Sequence, residues 1–564
     1  MSALLLLPTA VRAAELQPFL TVKVSSINTL IGVAEKIATM ADLANEPRFR
    51  EMVNTVKDVR GINLNGDFGI AAAVAEDGSL NLILVLPITD LWKAEIPAAP
   101  EMFDFIRPFL ARRSAERTDI NSPMGTYAAL QKQDYLVIVP EGIADQVPAD
   151  ARSLFADLEK YTIGIRLDLE KVKFETLEAN IFGPMLFMAM MQDPNVGEQL
   201  ENVIELYREL YKEFSMVSYG ISFNPQTADT ELAYSIALRD GSDMAKAMTG
   251  YKRQPTIFGG FRGTPANTVL SMGDAASWEG KVNFEDNAML TQAMKQYEAI
   301  FDGIIEQIEM DDETGEAGKI AKDIIETLKK IYAAEANRGA SDSAFSFNTD
   351  GVLLAAMDTV SLAEIQKLAG AAVGFILQKK PNIIGLAEIA QGYVSVEEFS
   401  VSRVKLPIVE TMELFAGPAP RDMPAALRAL NLCVFWAVKE GDKQAVAVAA
   451  GLDFDKTEQA LKAALEQTKT TAPVQKPKGV LSVQGLGKFL QQTVLPIAEK
   501  ADANNAEGLG TAKKVFAVLA GAEADAVVTI DGEVTAKRMD FGYRVSGKAI
   551  QAVVEAVKAA GSGF

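Results

Sequence analysis

The sequence predicts an α+β fold of about five diverged units, each running strand, helix, helix, β-hairpin, helix, with antiparallel sheets covered by helices. Length is the first reason, because 564 residues exceed one ordinary domain of roughly 100–200 residues. Composition is the second, because 49% hydrophobic and 23% charged residues are typical of a folded chain. The third is an acidic residue followed by glycine between apolar runs, which recurs at Asp77-Gly78, Asp350-Gly351, Glu440-Gly441 and Asp531-Gly532.

The first unit illustrates how each element is predicted. Alternating apolar residues indicate a strand at 19–24, and the serines at 25–26 can cap the helix that follows. Helical periodicity covers 27–44 and 47–59. An Asp-Gly pair between two apolar runs is typical of a type I′ turn, since both central residues must accept a positive φ. Residues 68–87 are therefore predicted to form a hairpin.

The same succession is predicted to recur along the chain, with Asn224-Pro225 at the turn of the second hairpin. The predicted segments are a signal-peptide remnant at 1–13, units at 14–150, 151–265, 266–380 and 381–467, a Pro-containing linker at 468–478, and a fifth unit at 479–564. The strands alternate apolar and polar residues, so one face of each sheet is expected to be buried beneath helices. The alternative is that this common succession arises without any repeat.

Charge and histidine content exclude several classes of function. A net charge of −20 argues against nucleic-acid binding and against docking on anionic lipid by charge. The chain has no histidine, which removes Ser-His-Asp and Cys-His catalysis and imidazole metal ligation. A single cysteine, Cys433, allows neither an intramolecular disulfide nor a cysteine zinc site. No cofactor, metal ion or catalytic residue is predicted.

The amino terminus favours export. An apolar run at 4–7 precedes Val11-Arg12-Ala13, which places compact residues where a signal peptidase would cleave before Ala14. A periplasmic or extracellular location is therefore expected, and an ordinary frayed terminus is the alternative. No later stretch reaches the roughly 18–20 apolar residues of a membrane span, so no transmembrane segment is predicted.

Four further patterns are weak signals of chemistry. The glycine-rich segments 259–265 and 483–488 lack the full phosphate-loop or dinucleotide pattern, so turn geometry and helix capping explain them better. The acidic segment 310–316 has the oxygen ligands that Ca²⁺ prefers, but a solvated turn between helices is favoured. Paired carboxylates could support a hydrolase. The aspartates considered for that role are predicted to be helix caps or surface residues: Asp104, Asp243 and Asp274.

The most apolar stretch of the chain, 181–191, contains four methionines. The favoured interpretation is a helix buried against its sheet, broken or kinked at Gly183-Pro184. The alternative is a pliable lining for an apolar small molecule or a protein partner. The candidate residues for such a surface are Phe182, Met185, Met188 and Met191.

One family resemblance is carried by residues 61–93, GINLNGDFGIAAAVAEDGSLNLILVLPITDLWK. A glycine-containing lead enters a hairpin that ends in a Pro-x-x-Asp helix start at Pro87 to Asp90. This arrangement resembles exported bacterial proteins of uncharacterised function, best represented among planctomycetes. The resemblance implies export and fold, and it supplies no catalytic residues.

The leading functional prediction is a non-enzymatic exported protein that acts as a binding or structural component of the periplasm or cell envelope. The first alternative is a carrier or chaperone for lipid or another apolar ligand, held between the sheets and the Met-rich helix. The second is a carboxylate-based hydrolase, which would require two facing carboxylates with raised pKa values. The sequence predicts no oligomeric state.

Overall fold

The computed structural model divides the chain into two compact units, Met1–Ala237 and Leu238–Phe564. The described residues are 16–59, 61–75, 77–89, 117–122, 125–192, 194–264, 267–281, 316–379, 388–410, 423–473, 478–501 and 506–561. The boundary between the two units lies inside the predicted segment 151–265. Helices and antiparallel strands occur in both units, which confirms the α+β class.

Unit 1 contains nine strands and five α-helices among its described residues. The strands are β1 (Leu20–Ser25), β2 (Asp67–Val74), β3 (Leu80–Pro87), β4 (Arg117–Ser122), β5 (Gly125–Lys132), β6 (Tyr135–Pro140), β7 (Ile163–Asp168), β8 (Phe214–Phe223) and β9 (Thr230–Leu238), the last ending at the unit boundary. The helices are α1 (Ile27–Met40), α2 (Pro47–Lys57), α3 (Phe174–Leu177), α4 (Gly183–Gln192) and α5 (Pro194–Glu213). Two 3₁₀ helices cover Glu141–Gln146 and Ala151–Leu158, and a π-helical turn covers Glu178–Phe182.

The sheet of unit 1 is organised around β1. This strand pairs antiparallel with β2 on one side and with β7 on the other, so Val22 lies opposite both Ile70 and Ile165. The antiparallel order from one side to the other is β4-β5-β6-β3-β2-β1-β7-β8. The predicted hairpin at Asp77-Gly78 is confirmed. Its predicted type I′ turn is wrong, because Gly78 has φ +82° but Asp77 does not have a positive φ. Ser26 caps α1 as predicted, accepting a hydrogen bond from the Thr29 amide.

One face of this sheet is sealed by the two 3₁₀ helices. Phe155 lies directly over Gly69, where an added Cβ would meet the ring at 2.0 Å. Beside it, Lys23 is only 2% exposed, and its Nζ donates to the Leu158 carbonyl at 3.2 Å. The same Nζ lies 3.6 Å from the Asp67 carboxylate. The sequence of this face therefore depends on a small residue under an aromatic ring and on a paired buried charge.

Replacing Gly69 by alanine is expected to destabilise unit 1 by about 1–3 kcal/mol, because the new methyl overpacks against Phe155. Gly142→Ala is the matched control: nothing lies within 4 Å of its added Cβ, and we expect a change within about 0.5 kcal/mol. Urea unfolding of both variants measures the difference. Equal stabilities would contradict the close packing of Phe155 on β2.

Unit 2 contains eleven further strands and nine further α-helices among its described residues. The strands are β10 (Lys252–Arg253), β11 (Thr268–Ser277), β12 (Ala340–Asn348), β13 (Leu353–Thr359), β14 (Glu388–Val396), β15 (Phe399–Pro407), β16 (Asn431–Lys439), β17 (Gln444–Gly451), β18 (Gly479–Ser482), β19 (Val527–Val534) and β20 (Arg538–Val545). The helices are α6 (Asp243–Ala247), α7 (Glu316–Ala336), α8 (Leu362–Lys379), α9 (Ala425–Arg428), α10 (Phe454–Glu466), α11 (Val483–Phe489), α12 (Leu495–Ala501), α13 (Ala506–Ala520) and α14 (Gly547–Ala559). Two 3₁₀ helices cover Gly259–Arg262 and Gln467–Lys469, and a π-helical turn covers Leu490–Val494.

The sheet of unit 2 is organised around β11 as that of unit 1 is around β1. β11 pairs antiparallel with β12 on one side and with β18 on the other, and β10 extends the second side. The antiparallel order is β14-β15-β16-β17-β13-β12-β11-β18-β19-β20. The predicted hairpins at Asp350-Gly351 and Glu440-Gly441 are confirmed.

The predicted turn at Asp531-Gly532 is wrong. Both residues lie inside β19, opposite Gly542 and Phe541, and the turn follows at 535–537. Two contacts explain the difference. Arg253 donates to the Asp531 carboxylate at 3.0 Å, and Gly532 leaves room for the Phe541 ring. Tertiary contacts therefore override a local turn signal here.

The five-unit organisation is not confirmed. A central strand is followed by helices and a hairpin four times among the described residues, beginning at β1, β7, β11 and β18. The described part of the predicted unit 381–467 differs. There β14 and β15 form a hairpin, the short helix α9 follows, and β16 and β17 form a second hairpin before α10. The predicted linker 468–478 is also attached to the rest of unit 2. Its residue Ala472 forms a β-bridge with Thr256 through two backbone hydrogen bonds of 2.8 Å.

Candidate functional site

An apolar cleft of about 500 Å³ lies on one face of the unit 2 sheet. We call it the sheet cleft. It is formed by β11, β12, β13 and β17 together with the residue that precedes β18. Its lining residues are Met272, Gly273, Asp274, Ser343, Ala344, Phe345, Ala355, Ala356, Met357, Val446, Val448 and Lys478.

Strand register creates the floor of the sheet cleft. Directly opposed residues of antiparallel strands place their side chains on the same face. One such row runs Met272, Phe345, Ala355, Val448, Trp436 across five strands. All five are only partly buried or exposed, and Met272 is 42% exposed. The large apolar side chains of this row therefore lie on a face that the described residues do not fully cover.

The opposite face of the same strands explains why the two faces differ. A neighbouring row there consists of small residues, namely Gly273, Ala344, Ala356, Ala447 and Ala437. These small side chains allow α10 and the 3₁₀ helix Gly259–Arg262 to pack closely on the sheet. Close packing seals this face and leaves the other as the accessible one.

A small polar cluster marks one end of the sheet cleft. The Lys478 ammonium donates to Oδ2 of Asp274, and the Tyr251 hydroxyl donates to the same oxygen at 3.4 Å. Oδ1 of Asp274 is buried and has no hydrogen-bond partner among the described residues. Arg262 donates to the Lys478 carbonyl at 3.0 Å and fixes the start of β18. Asp274 lies within β11 and is ion-paired, so it does not cap a helix, and its side chain is 32% exposed.

Burial changes the pKa values of two residues in this cluster. Burial raises the pKa of the Tyr251 phenol from 10.0 to about 12, and the Asp274 charge adds to the rise. Burial also lowers the pKa of the Arg262 guanidinium, although the nearby Asp274 carboxylate opposes that shift. Tyr251 therefore stays neutral at physiological pH and acts here as a hydrogen-bond donor. Asp274 and Lys478, the two ionisable residues that line the cleft, neutralise each other, so the site is suited to binding rather than to proton transfer.

The carboxylates of Asp342 and Asp358 lie close enough to interact. Burial raises the pKa of Asp342, and the neighbouring Asp358 charge contributes to the rise. The oxygens of Asp342 already accept hydrogen bonds from the Thr256 hydroxyl at 2.5 Å and the Ile257 amide at 2.8 Å. Asp358 accepts from Arg338 at 2.6 Å. These bonds fasten a loop and the end of α7 to the sheet, which is a structural role.

The glycine-rich segments serve close packing. A Cβ on Gly485 would meet the Thr268 carbonyl oxygen at 2.2 Å, and one on Gly487 would meet the Ala520 amide nitrogen at 2.1 Å. These glycines let α11 lie against β11 and α13. In the other segment, Phe261 is fully buried in the core and Gly260 touches α10. Asp243, the third carboxylate considered, lies in the first turn of α6 and pairs with Lys246 at 2.8 Å.

The Met-rich helix α4 is the second candidate surface. The expectation that it is buried against the sheet is wrong. Its exposed apolar side chains are between 47% and 74% accessible: Met185, Phe187, Met188, Met190 and Met191. Phe182, at the base, is partly buried and stacks on Tyr207 with ring centroids 5.8 Å apart. The predicted residues therefore share one helical hairpin, but Phe182 belongs to its aromatic base and Met185, Met188 and Met191 to its exposed end.

The residues of the sheet cleft were not predicted from the sequence. They come from strands far apart in the chain, and no single window contains them. One signal was present: β17 reads QAVAVAAG, with valines on one face and alanines on the other. A strand that is apolar on both faces requires two covering layers or leaves one face open to a ligand. Phe187 was also missed, although it is more exposed than the neighbouring Met185 and Met188.

Several predicted features lie outside the described residues: the signal-peptide remnant 1–13, Asp90, Asp104 and residues 310–315 of the acidic segment. Within the described ranges, no group of three or more acidic or cysteine side chains is arranged to hold a metal ion. In the same ranges, no helix is both long and apolar enough to cross a bilayer.

Comparisons with known proteins give no relative from which function could be transferred. No protein-family model matches the sequence, no curated protein matches it, and no solved structure matches the fold. The geometry of the two candidate surfaces is therefore the basis for the proposals below.

Replacing Tyr251 by phenylalanine is expected to flatten the alkaline stability profile. The unfolded chain releases the phenol proton near pH 10, whereas the folded chain holds it to about pH 12. The contribution of the neutral, buried phenol to the free energy of unfolding is therefore fully present below pH 10, and it is lost as the pH rises to 12. Urea unfolding across this range should show a smaller loss in the variant than in the wild type. Identical slopes would contradict the burial of Tyr251 beside Asp274.

Proposed function

We propose that this chain is a non-enzymatic binding protein that holds an apolar small molecule in the sheet cleft of unit 2. The observation that carries the proposal is an accessible sheet face lined by Met272, Phe345, Met357, Val446 and Val448. A lipid acyl chain fits this chemistry, because it is removed from water without leaving any polar group unpaired.

Size and lining support binding of a small ligand. A volume of about 500 Å³ falls within the range of roughly 300–1,000 Å³ found for small-molecule sites. Such sites combine an apolar lining with a few polar groups that fix orientation. Here the polar group is the pair of Asp274 and Lys478 at one end, where the head of an amphipathic ligand could lie.

The alternatives receive less support. A hydrolase would need an accessible pair of carboxylates, but the oxygens of Asp342 and Asp358 are already bonded to protein donors. A purely structural role would not require an open apolar face, because alanines on the same strands show that this sheet can be closely packed.

Export, family and repeat ancestry form the second part of the proposal. We infer a periplasmic or extracellular location from residues 4–14, and a relationship to exported planctomycete-type proteins from residues 61–93. Descent from a repeated strand–helix–helix–hairpin–helix segment accounts for the order that begins at β1, β7, β11 and β18. The segment 381–467 fits such a repeat least well, because its described part begins with the hairpin of β14 and β15.

A charge in the sheet cleft is expected to weaken binding of a long-chain fatty acid that carries a fluorescent label. Met357→Glu should weaken binding at least tenfold, because a carboxylate replaces an apolar contact on the cleft floor. Ala355→Phe should act in the same direction by filling the space without a charge. Fluorescence titration of the full chain measures both effects.

Met52→Glu is the matched control for this experiment. Met52 lies on α2 of unit 1 and is 56% exposed, so the same substitution is made at a solvent-facing methionine outside the cleft. Its affinity should equal that of the wild type. Wild-type binding in both cleft variants, or equal loss in the Met52 variant, would place the ligand elsewhere and contradict the proposal.

The mature protein from its native host is expected to begin at Ala14, because cleavage follows the small residue Ala13. The mass of the intact chain measures this.

Native mass spectrometry of the same gently purified protein should also show an extra mass that is lost on denaturation and extracts into organic solvent. A chain mass that includes residues 1–13 would contradict cleavage. A clean mass with no extra component would remove support for a co-purified apolar ligand and leave the titration as the test of the cleft.

A further inference from the structure

The two units contain one equivalent helical hairpin each. In unit 1 the chain runs from β7 through α3, a π-helical turn, α4 and α5 to β8. In unit 2 it runs from β18 through α11, a π-helical turn, α12 and α13 to β19. β7 pairs with β1, and β18 pairs in the same way with β11. The helices α4 and α12 therefore occupy the same place in the topology of their units.

The equivalence of α4 and α12 extends to backbone detail. Gly183 donates its amide to the carbonyl of Glu178, five residues earlier, and Leu495 donates in the same way to Leu490. A proline follows each donor, Pro184 in unit 1 and Pro496 in unit 2. Proline supplies no amide to the helix, and a π-helical turn is one way to accommodate the missing hydrogen bond.

The surfaces of the two equivalent helices differ sharply in charge. The short helix α12 carries Glu499 and Lys500, and Glu499 is 2.7 Å from Lys513 of α13. No charged residue occurs anywhere in 179–192, which includes all of α4. The equivalent helix in unit 2 thus shows that this topology does not require exposed apolar residues. The methionines and phenylalanine of α4 therefore point to a role beyond folding.

The angular distribution of these side chains indicates what covers them. At 3.6 residues per turn, the five exposed apolar residues of α4 span roughly 220° of the helix circumference. Only Leu186 and Ala189 occupy the remaining arc, and both are partly buried. A helix that docks on a protein surface needs an apolar stripe of only about 100°. An exposed helix that is apolar around most of its circumference is better matched to a surrounding apolar phase.

The base of the hairpin is rigid enough to present this helix. Phe174 packs on both Phe182 and Tyr211, with ring centroids 5.8 Å and 5.6 Å apart. Tyr207 stacks on Phe182, and Arg208 pairs with Glu178 at 2.7 Å. Aromatic packing and the ion pair therefore fix the direction of α4 as it leaves the sheet.

We propose that α4 inserts into one leaflet of an electrically neutral lipid bilayer and attaches the protein to it peripherally. Ten helical residues span about 15 Å, and Asp193 follows the last of them directly. Because a carboxylate is costly at the bilayer centre, α4 is expected to lie along the leaflet with its apolar side chains among the acyl chains, rather than to cross the leaflet end-on. The charge of the protein indicates which lipid headgroups it would bind. The helix is uncharged and the chain carries a net charge of −20, so a zwitterionic surface is favoured over an anionic one. This proposal does not depend on the sheet cleft of unit 2.

The first test is flotation of the full chain with vesicles of phosphatidylcholine. The wild type should float, and the double variant Phe187→Glu, Met191→Glu should partition at least tenfold less. Met52→Glu should behave as the wild type, because Met52 and Met188 are equally exposed, at 56%. Binding should weaken when phosphatidylglycerol replaces part of the phosphatidylcholine. A wild type that stays in solution, or a double variant that floats equally well, would overturn the proposal.

A second measurement remains informative if the double variant does not fold. Cys433 is the only cysteine and is buried, so Met188→Cys and Met52→Cys each introduce one accessible thiol. An environment-sensitive dye at 188 should shift to the blue when phosphatidylcholine vesicles are added, whereas a dye at 52 should not. A blue shift at 188 that grows with protein concentration in the absence of lipid would instead indicate self-association and overturn the proposal. So would a response to anionic vesicles alone that salt abolishes.

Discussion

Antiparallel pairing between two central strands holds each unit together. In unit 1, Val22 of β1 lies opposite Ile165 of β7, and in unit 2, Leu270 of β11 lies opposite Leu481 of β18. Each pair joins segments separated by more than a hundred residues, so it closes a large loop at an entropic cost that local contacts do not recover. Hairpins then extend the sheet outward on both sides, and the helical segments between strands are positioned by the same pairing.

Small residues let covering elements come close to the sheet in both units. In unit 2, alanines and a glycine form the face on which α10 and a 3₁₀ helix pack. In unit 1, Phe155 approaches β2 only because residue 69 is glycine. Small residues allow a covering element to reach the backbone and exclude water. On the opposite faces, Met272 in unit 2 and Ile70 in unit 1 remain accessible. Such accessible apolar surface is costly in water, so it marks the places where function is expected.

The two units share part of their topology, so a difference between equivalent helices identifies a feature that the fold does not require. Helices α4 and α12 share topology, a π-helical turn and a following proline, yet one exposes methionines and the other exposes charges. The π-helical turn and the proline occur in both helices, so they are features of the shared topology. The exposed methionines occur only in α4, so they are specific to unit 1.

Local chemistry in the sequence determined the α+β class, the Ser26 cap of α1 and the hairpins at Asp77-Gly78, Asp350-Gly351 and Glu440-Gly441. These features depend on residues close in the chain, whose alternation, turn propensity and capping can be read directly. The tertiary structure alone decided that Asp531-Gly532 continues a strand, that Met185 and Met188 are exposed, and that Met272, Phe345 and Val448 share a cleft. The reason is physical: an apolar residue has the same sequence signature whether a neighbour covers it or not. Which face is covered depends on strand register and on the size of side chains contributed by distant segments.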